Sequence, residues 1–509
     1  MLARVTSGSL RGVDGFLVEV EVDIAFGMPA FTTVGLPEIA VKESKDRVKA
    51  AIKNSGYHFP GTRVTINLAP ADVRKDGTGF DLPIALGLLA AQGLAPQENL
   101  DRFLLYGEVS LDGRLKATRG VLPVALACRQ AGLDGLIIPK ENAREAAVVQ
   151  DLAVYAAQSL PEVVEFLRGN AELSPELPPA VELLPKTGED MDFAEVRGQE
   201  QVKRAMVIAA AGGHNVLMMG PPGSGKTMLA KRLPTILPPF TFEEAIETSK
   251  IYSIMGLLPA GQALLASRPF RPPHHTVSDA GLIGGGRIPR PGEVSLAHNG
   301  VLFLDELPEF KRQVLEVLRQ PLEEGYVTIS RASSSLTYPA RFMLVAAMNP
   351  CPCGFLGDAK RPCRCSPTQI RTYQTRISGP LLDRIDIQVP VPAVPFQDLA
   401  AGPDGERSAS LQERVVAART VQTRRFKGSR AYCNAQMSAR LVKQYCQLQP
   451  EPRQLLERAM ERLGLSARAY NRILKISRTI ADLEGQEDIQ TPHLAEAIQY
   501  RSLDRSLAT

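Results

Sequence analysis

The chain has 509 residues, more than one hydrophobic core usually serves, so we expect roughly two to four domains. Hydrophobic residues make up 44% of it, as in ordinary globular proteins. No apolar run approaches the roughly 18 residues of a membrane span, and residues 1–12 lack the apolar core of a signal peptide, which predicts a cytoplasmic protein with no membrane partner. The net charge of +4 is too small to indicate a nucleic-acid partner, so that case depends on where the basic residues lie.

The first predicted element is a strand with one buried face at residues 16–24, where valine and isoleucine alternate with glutamate and aspartate. Helical spacing follows at residues 41–55 and ends before Gly56. A second strand fits residues 63–68, and residues 82–91 are typical of a buried helix. These elements predict an α+β domain over residues 1–170.

Two motifs in this domain resemble the proteolytic domain of Lon proteases: R-K-D-G-T-G-F-D at residues 74–81 and G-E-V-S-L-D-G-R-L at residues 107–115. That family carries a catalytic serine two positions after the glycine of K-D-G and a catalytic lysine in the helix after the second motif. The corresponding residues here are Gly79 and Leu122, which cannot act as nucleophile or base. The resemblance therefore implies a Lon-like fold without peptidase activity, serving as a scaffold or binding module.

Residues 171–190 contain four prolines and no sustained periodicity, so they are predicted to form a linker to a core at residues 191–396. Residues 220–227 of that core read G-P-P-G-S-G-K-T, the pattern of a phosphate-binding loop. The apolar run 216–219 predicts the strand before it, and residues 228–233 predict a helix after it. The residues expected to bind ATP are Gly220, Pro221, Pro222, Gly223, Ser224, Gly225, Lys226 and Thr227.

A second motif, V-L-F-L-D-E at residues 301–306, is a short apolar strand that ends in two carboxylates. We expect Asp305 and the Thr227 hydroxyl to hold Mg²⁺ and Glu306 to polarise the attacking water. Asn349, at the end of the predicted strand 342–348, can orient that water or sense the γ-phosphate, or it can simply cap a turn before Pro350. Two motifs in this order predict an ATP-hydrolysing enzyme with an α/β P-loop core.

The region between these motifs is longer than a strand–helix–strand step requires. It contains adjacent His274 and His275, for which a polar loop is favoured over a metal site, because adjacent residues rarely share a ligand face. A glycine-rich turn at residues 284–292 predicts an exposed loop tipped by Arg287 and Arg290, which are candidates for contacting DNA phosphates. After a predicted helix at 310–318, residues 327–340 predict a hairpin that carries Arg331.

Four of the seven cysteines cluster as two C-x-C pairs at residues 351–365, inside the core. Four thiolates with Gly and Pro in the turns can wrap one tetrahedral Zn²⁺, although C-x-C is tighter than the usual C-x-x-C. The alternative is a loop of reduced thiols. The candidate zinc ligands are Cys351, Cys353, Cys363 and Cys365.

Two arginines near the end of the core are further candidates for the ATP site. Arg384, in L-L-D-R-I-D, is either an ion-pair residue or a guanidinium that reaches the γ-phosphate of a neighbouring subunit's ATP. Residues 397–509 predict a helical lid domain, in which Arg468 is the candidate for contacting the nucleotide and Arg472 the second choice. Either lid arginine can equally be a solvated helix residue.

The order of these motifs resembles AAA+ ATPases of the magnesium-chelatase and MCM-helicase group. With the Lon-like domain and the cysteine insertion, essentially the whole chain is similar to the YifB/ComM family. That resemblance implies a homo-hexameric, ATP-driven DNA helicase that migrates branches and helps incoming single strands integrate during natural transformation. It also implies single-stranded and branched DNA as partners, recombination proteins as further partners, and contacts to DNA from the hairpin position of Arg331.

Two other functions stay open from the residues alone. One is a chelatase-type motor that remodels a protein partner for metal insertion, and the other is a chaperone or adaptor that is not a motor. The Lon-like domain and the arginine-bearing hairpins count against the chelatase, because porphyrin metallation requires neither. Whether DNA stimulates ATP hydrolysis separates these hypotheses.

Overall fold

The computed structural model describes residues 1–179, 191–259, 261–286, 288–331, 334–358, 361–395, 405–429 and 431–501. The chain forms two compact units. The first consists of Met1–Leu183 and Thr241–Ala266, and the second of Leu184–Phe240 and Ser267–Thr509. The segment Thr241–Ala266, which the sequence analysis assigned to the ATPase core, therefore belongs to the first unit. Most of the predicted linker, residues 180–190, lies outside the described residues.

The first unit contains a mixed seven-stranded sheet in the order β3-β4-β2-β1-β5-β8-β9. Strands β1/β2 and β2/β4 pair antiparallel, whereas the other neighbours pair parallel. The strands of this unit, including the separate pair β6/β7, are β1 Leu2–Arg11, β2 Asp14–Ala25, β3 Ala30–Val34, β4 Arg63–Ala69, β5 Phe103–Leu105, β6 Glu108–Val109, β7 Leu115–Lys116, β8 Gly135–Pro139 and β9 Ala153–Ala157.

Helices cover this sheet, and the buried valines of β2 explain why it folds this way. Val18, Val20 and Val22 are fully buried, which confirms the alternation read from the sequence. The predicted helices at 41–55 and 82–91 are present with boundaries shifted by one or two residues. The α-helices of the unit are Ile39–Asn54, Asp81–Ala91, Gln97–Leu100, Val121–Ala131, Ala143–Ala146, Leu160–Leu167 and Phe242–Met255, and a 3₁₀ turn forms at Lys140–Asn142.

The second unit is built on a five-stranded, entirely parallel sheet in the order β11-β14-β17-β10-β18. Two separate hairpins, β12/β13 and β15/β16, project from the same unit. The strands are β10 Val216–Met219, β11 Phe270–Arg271, β12 Gly284–Gly285, β13 Arg290–Pro291, β14 Val301–Leu304, β15 Tyr326–Arg331, β16 Ser334–Pro339, β17 Met343–Met348 and β18 Ile387–Pro390.

The helices of the second unit pack on this sheet and form the predicted lid. The expected single helix at 310–318 is instead a 3₁₀ turn, Leu307–Glu309, followed by two short helices. The α-helices are Glu200–Gly212, Lys226–Arg232, Asp279–Leu282, Glu293–Leu296, Arg312–Glu316, Arg319–Glu324, Pro367–Gln374, Gly379–Leu382, Ser408–Arg425, Ala439–Tyr445, Pro450–Leu463, Ala467–Leu483 and Thr491–Gln499; 3₁₀ turns form at Phe193–Glu195, Leu233–Ile236 and Asn434–Gln436. Among the described residues, none of the helices combines the length and the apolarity that crossing a bilayer requires.

A buried carboxylate joins the lid to the sheet. Asp386, just before β18, pairs with Arg472 of the lid helix Ala467–Leu483 and lies 3.3 Å from the ring nitrogen of His214. The other ring nitrogen of His214 lies 2.8 Å from the hydroxyl of Thr479 in the same lid helix. Arg472, which the sequence offered as the alternative to Arg468 for contacting the nucleotide, therefore forms a structural ion pair in this fold.

Candidate active site

The predicted phosphate-binding loop connects β10 to the helix Lys226–Arg232, as the sequence pattern requires. Gly225 has φ +88°, a left-handed conformation that favours glycine. At Gly220 a Cβ atom would lie 2.0 Å from the carbonyl oxygen of Val391, so only glycine fits there. Because β10 lies between β17 and the edge strand β18, the loop emerges at the carboxyl-terminal edge of the sheet with a strand on either side.

The ammonium group of Lys226 lies inside this loop, and the residue is only 9% exposed. Its Nζ donates to the carbonyl oxygens of Gly220 and Pro221, each at 2.8 Å, and to Asn349 Oδ1 at 3.3 Å. Burial lowers the pKa of Lys226, while the charge of Asp305 opposes that shift. A charged donor cradled by a glycine-rich loop suits phosphate oxygens.

The two residues expected to hold magnesium are in contact. Thr227 Oγ1 donates to Asp305 Oδ2 at 2.7 Å. Asp305 Oδ1 accepts from the backbone N–H of Glu306 at 2.9 Å, and Glu306 has φ +52°. A hydroxyl and a carboxylate at this distance are oxygen ligands of the kind Mg²⁺ prefers, so these residues fit the ion.

His275 is a residue of this site that the sequence analysis missed. Its Nδ1 lies 3.5 Å from Glu306 Oε2, and its ring centroid is 4.1 Å from that of His274. His275 lies beside Glu306 because of the strand order. It follows β11, which pairs in parallel with β14, so both strands end at the same edge of the sheet. The only sequence feature that could have placed His275 in this site is the short strand before its polar segment. The pairing partner of a two-residue strand, however, cannot be predicted from its sequence.

Gln199, which follows Gly198 and precedes the helix Glu200–Gly212, ties the phosphate-binding loop to the segment after β18. Its Nε2 donates to the carbonyl oxygens of Ser224 and Pro392, each at 2.8 Å. Its Oε1 is buried and has no hydrogen-bond partner among the described residues. A buried acceptor beside the phosphate loop suits a ligand that carries an N–H donor, as the adenine amino group does.

Arg384 and Arg468 are not brought to the phosphate-binding loop of their own chain. Both line a cleft of about 1220 Å³ that also contains Asn215, Gly300 and Met343, which precede or begin strands of the parallel sheet. This cleft is at the amino-terminal edge, opposite the edge where Lys226 and Asp305 lie. Arg468 therefore lies away from the ATP site of its own chain, and its contact with a nucleotide stays a prediction.

Arg384 is held in this cleft by partners of its own unit. Its guanidinium pairs with Glu323 and donates to the carbonyl oxygen of Pro380, while its Nε is buried without a partner among the described residues. Burial lowers the pKa of Arg384, against the charge of Glu323. Arg468 is 66% exposed, and its Nη1 lies 3.6 Å from Asp383 Oδ2. Two arginines therefore converge on one open cleft.

The four clustered cysteines converge on one point beside the phosphate-binding loop. Their sulfur atoms all lie within 4.8 Å of one another, with Cys351 and Cys353 3.4 Å apart and Cys363 3.6 Å from each of them. Four sulfurs at roughly 2.3 Å from one zinc ion would be about 3.8 Å apart, so the geometry fits tetrahedral Zn²⁺. The loop also touches the ATP site, because a Cβ at Gly354 would lie 2.5 Å from the ring of Pro222.

The two arginine-bearing hairpins pack against each other. Tyr338 of β16 donates its hydroxyl hydrogen to the carbonyl oxygen of Pro289 at 2.7 Å, and a Cβ at Gly285 would lie 3.3 Å from Arg331 Nη2. Gly285 pairs with Arg290 across the first hairpin. Arg290 and Arg331 are both exposed, so the two side chains extend from neighbouring hairpins. Arg287 lies outside the described residues.

In the first unit, the positions that match the Lon catalytic pair are closed to that chemistry. A Cβ at Gly79 would lie 2.2 Å from the ring of Tyr106, so a serine has no room there without a shift. Leu122 is fully buried in the helix Val121–Ala131. Lys75, in the same motif, is buried with its ammonium group on the carbonyl oxygen of Pro70, which favours a structural role.

The phosphate-binding loop follows β10, the two carboxylates follow β14, and Asn349 follows β17, the strand between these two. Together with the helical lid, these features define a P-loop ATPase of the AAA+ class. Comparison with known families agrees. Residues 192–399 match the family described as magnesium chelatase, subunit ChlI, and residues 405–501 match the C-terminal family of that subunit. Residues 20–142 match a further family described as subunit ChlI of Mg-chelatase. This membership indicates ATPase activity with nucleotide and Mg²⁺ as cofactors.

Two curated relatives match nearly the whole chain, and a third matches about a third of it. Competence protein ComM of Haemophilus influenzae is 47% identical over 99% of this chain and 98% of its own length. Protein YifB of Salmonella typhimurium is 46% identical over the same shares. The magnesium-chelatase 38 kDa subunit of Rhodobacter capsulatus is 28% identical over 32% of this chain and 52% of its own length. The chain belongs to the YifB/ComM family of magnesium chelatase-like AAA+ ATPases.

Proposed function

We propose that this protein is an ATP-driven, ring-forming DNA helicase that migrates branched DNA and promotes integration of incoming single strands during natural transformation. The observation that carries the proposal is the pair of packed hairpins with exposed Arg290 and Arg331. Guanidinium groups on adjoining hairpin tips can contact successive phosphates without reading sequence. The similarity over 99% of the chain to a protein named competence protein ComM supports a competence-related role.

In this proposal the residues at the carboxyl edge of the sheet perform ATP hydrolysis. Lys226 binds the β- and γ-phosphate oxygens, and Thr227 with Asp305 holds Mg²⁺, which neutralises charge that develops on the phosphates. Glu306 polarises the attacking water, and Asn349 orients it. His275, next to Glu306, sets the direction of that carboxylate.

The cleft at the amino-terminal edge supports an ATP site shared between subunits. Arg384 and Arg468 line it together, and neither can serve the P-loop on the opposite edge of its own sheet. We therefore propose that both act on the ATP of a neighbouring copy, as guanidinium groups do in trans-acting phosphoryl-transfer sites. The ring follows from this arrangement, because each subunit then completes the site of the next.

We also propose that Cys351, Cys353, Cys363 and Cys365 hold one structural zinc ion. The convergence of four sulfurs supports this, since reduced thiols without a metal have no reason to lie this close. The ion would fix the loop that follows Asn349 and lies against Pro222. A closed four-thiolate site leaves no open position, so its role is structural.

The test is whether DNA stimulates ATP hydrolysis and whether ATP drives strand exchange. We expect single-stranded and forked DNA to raise the ATPase rate, and a three-stranded joint molecule to be resolved only with ATP. Arg331→Ala should reduce branch migration while ATP binding stays unchanged. Arg458→Ala, which removes an exposed arginine of the lid helix Pro450–Leu463, is the matched control.

A chelatase-type motor that remodels a protein partner is the second candidate, favoured by the 28% identity to the Rhodobacter capsulatus subunit over 32% of the chain. It gains support if the wild-type protein binds no DNA at low salt. Normal branch migration by Arg331→Ala would instead reject the hairpin assignment and leave the motor proposal intact.

A further inference from the structure

One face of the helix Ile39–Asn54 in the first unit carries a row of four lysines: Lys42, Lys45, Lys49 and Lys53. Their spacing of three and four residues places them on successive turns of the same face, over roughly 16 Å of helix. All four are exposed. Among the described residues, the ion pairs in this region join Arg47 to Asp81 and Arg74 to Glu38, and none involves the four lysines. The exposed Asp46, four residues after Lys42 and three before Lys49, lies on the same side of the helix, so four lysines and one aspartate leave the row a net positive surface.

Two phenylalanine rings lie directly beside this row. Phe31 of the edge strand β3 and Phe59 stack with their ring centroids 6.4 Å apart and an angle of 23° between their planes. Lys45 Nζ is 5.9 Å from the centroid of Phe31, and Lys49 Nζ is 5.8 Å from that of Phe59. Both rings are only partly buried, so ring surface and ammonium groups are accessible together.

The apolar character continues into the turn that precedes β3. Phe26 and Met28 lie in this turn and are 100% and 89% exposed. Large apolar side chains at this exposure mark interaction sites more often than ordinary solvated surface. We call the four lysines together with Phe31 and Phe59 the lysine–phenylalanine surface.

We propose that the lysine–phenylalanine surface binds single-stranded DNA, with the ammonium groups on phosphates and bases stacked on the two rings. A positive groove combined with stacking rings is the arrangement that binds single strands without sequence preference. An acidic peptide would use the lysines but has no planar groups for the rings. Duplex DNA would use the phosphates but keeps its bases inside the helix.

This proposal rests on the proposed DNA function for its substrate and goes beyond it in location. It assigns a DNA-binding role to the first unit, in which Gly79 and Leu122 occupy the positions of the Lon catalytic residues. The strand would be captured by the first unit, whereas the ATPase residues belong to the second. Its binding would need neither ATP nor the arginine hairpins of the second unit.

The full-length chain contains no tryptophan, so Phe59→Trp introduces a single fluorescent reporter at the surface. We expect its emission to fall as oligothymidylate is added, because a stacked base quenches the indole. Adding Lys45→Glu and Lys49→Glu should weaken this binding roughly tenfold or more and should lower the slope of log K against log salt by about 1.4, since each lost single-strand phosphate contact removes about 0.7.

Phe166→Trp is the matched control. Phe166 is also partly buried and packs against other rings, Phe103 and Tyr155, but at the opposite end of the seven-stranded sheet. Its emission should stay constant during the same titration. Phe31→Trp provides a second reporter at the surface if Phe59→Trp fails to fold by circular dichroism.

The titration is carried out in a Lys226→Ala background without ATP, so that the result does not depend on the motor. Quenching there supports the surface even if the wild-type protein fails to migrate branches. If the tryptophan emission does not change while anisotropy shows that a labelled oligothymidylate still binds the protein, the lysine–phenylalanine surface is rejected and the motor proposal stands. Equal quenching by duplex DNA, or quenching by polyglutamate that oligothymidylate cannot displace, also rejects it.

Discussion

Replacing Arg384 by alanine tests the proposed division of the ATP site between two subunits. The phosphate-binding loop is at the carboxyl edge of the parallel sheet and Arg384 is at the amino edge. Strand β17, which has six residues, separates these edges by roughly 20 Å at about 3.3 Å per residue. An arginine side chain cannot span that distance, so Arg384 does not reach the ATP site of its own chain.

The size of the effect follows from the charge that Arg384 would neutralise. A guanidinium supplied in trans to phosphoryl transfer is worth roughly 10³ to 10⁵ in rate, or about 4 to 7 kcal/mol of transition-state stabilisation. Arg384→Ala should therefore bind ATP nearly normally, since Lys226 and Thr227 are unchanged, yet release phosphate at least about 10³-fold more slowly. Phosphate release and equilibrium binding of ATP measure the two quantities separately.

Covalently linked dimers assign the arginine to its site. One linked unit carries Arg384→Ala and the other carries Lys226→Ala, so that only one of the two interfaces combines an intact loop with an intact arginine. Glu323→Gln is the control, because it removes the partner of Arg384 and keeps the arginine. A linked dimer that stays as inactive as Arg384→Ala alone would refute the shared site, because an arginine that acts on the ATP of its own chain leaves neither unit with both an intact loop and an intact arginine.

Four further outcomes can be checked. Elemental analysis should find one zinc per chain, and changing the four clustered cysteines to serine should abolish it and reduce ATPase activity; no zinc and unchanged ATPase activity would contradict the site. The full-length protein should not cleave an unfolded protein, and Gly79→Ser should not create that activity; cleavage abolished by a change in the first unit alone would show the opposite. His275→Ala should lower the rate of hydrolysis more than the affinity for ATP, whereas equal losses would mean that the histidine only supports the loop. Burial raises the pKa of Asp81 from 3.8 to about 6 in spite of Arg47. The stabilisation by this carboxyl is therefore complete below pH ~4 and is lost as the pH rises through about 6. The free energy of unfolding, measured with denaturant, should depend more steeply on pH over that range in the wild type than in Asp81→Asn.

The amino-acid sequence by itself determined the parts of the protein that depend on short spacing. The phosphate-binding loop needs eight consecutive residues, and the carboxylate pair needs one apolar strand before it, so both were predicted at the positions where the structure places them together. The cysteine cluster is of the same kind, because two C-x-C pairs joined by a short loop can hardly avoid one another. The alternating valines of β2 determined a buried face before any partner strand was known.

Only the tertiary structure decided which of these parts meet. His275 lies beside Glu306 because β11 pairs with β14, and Arg384 and Arg468 lie away from their own ATP loop because parallel strands place all their amino ends at one edge. The helix Phe242–Met255 follows the ATP loop in sequence but packs in the first unit, where Ser253 hydrogen-bonds Glu145. Strand order and the partner of a helix depend on contacts between residues far apart in the chain, and no local periodicity records them.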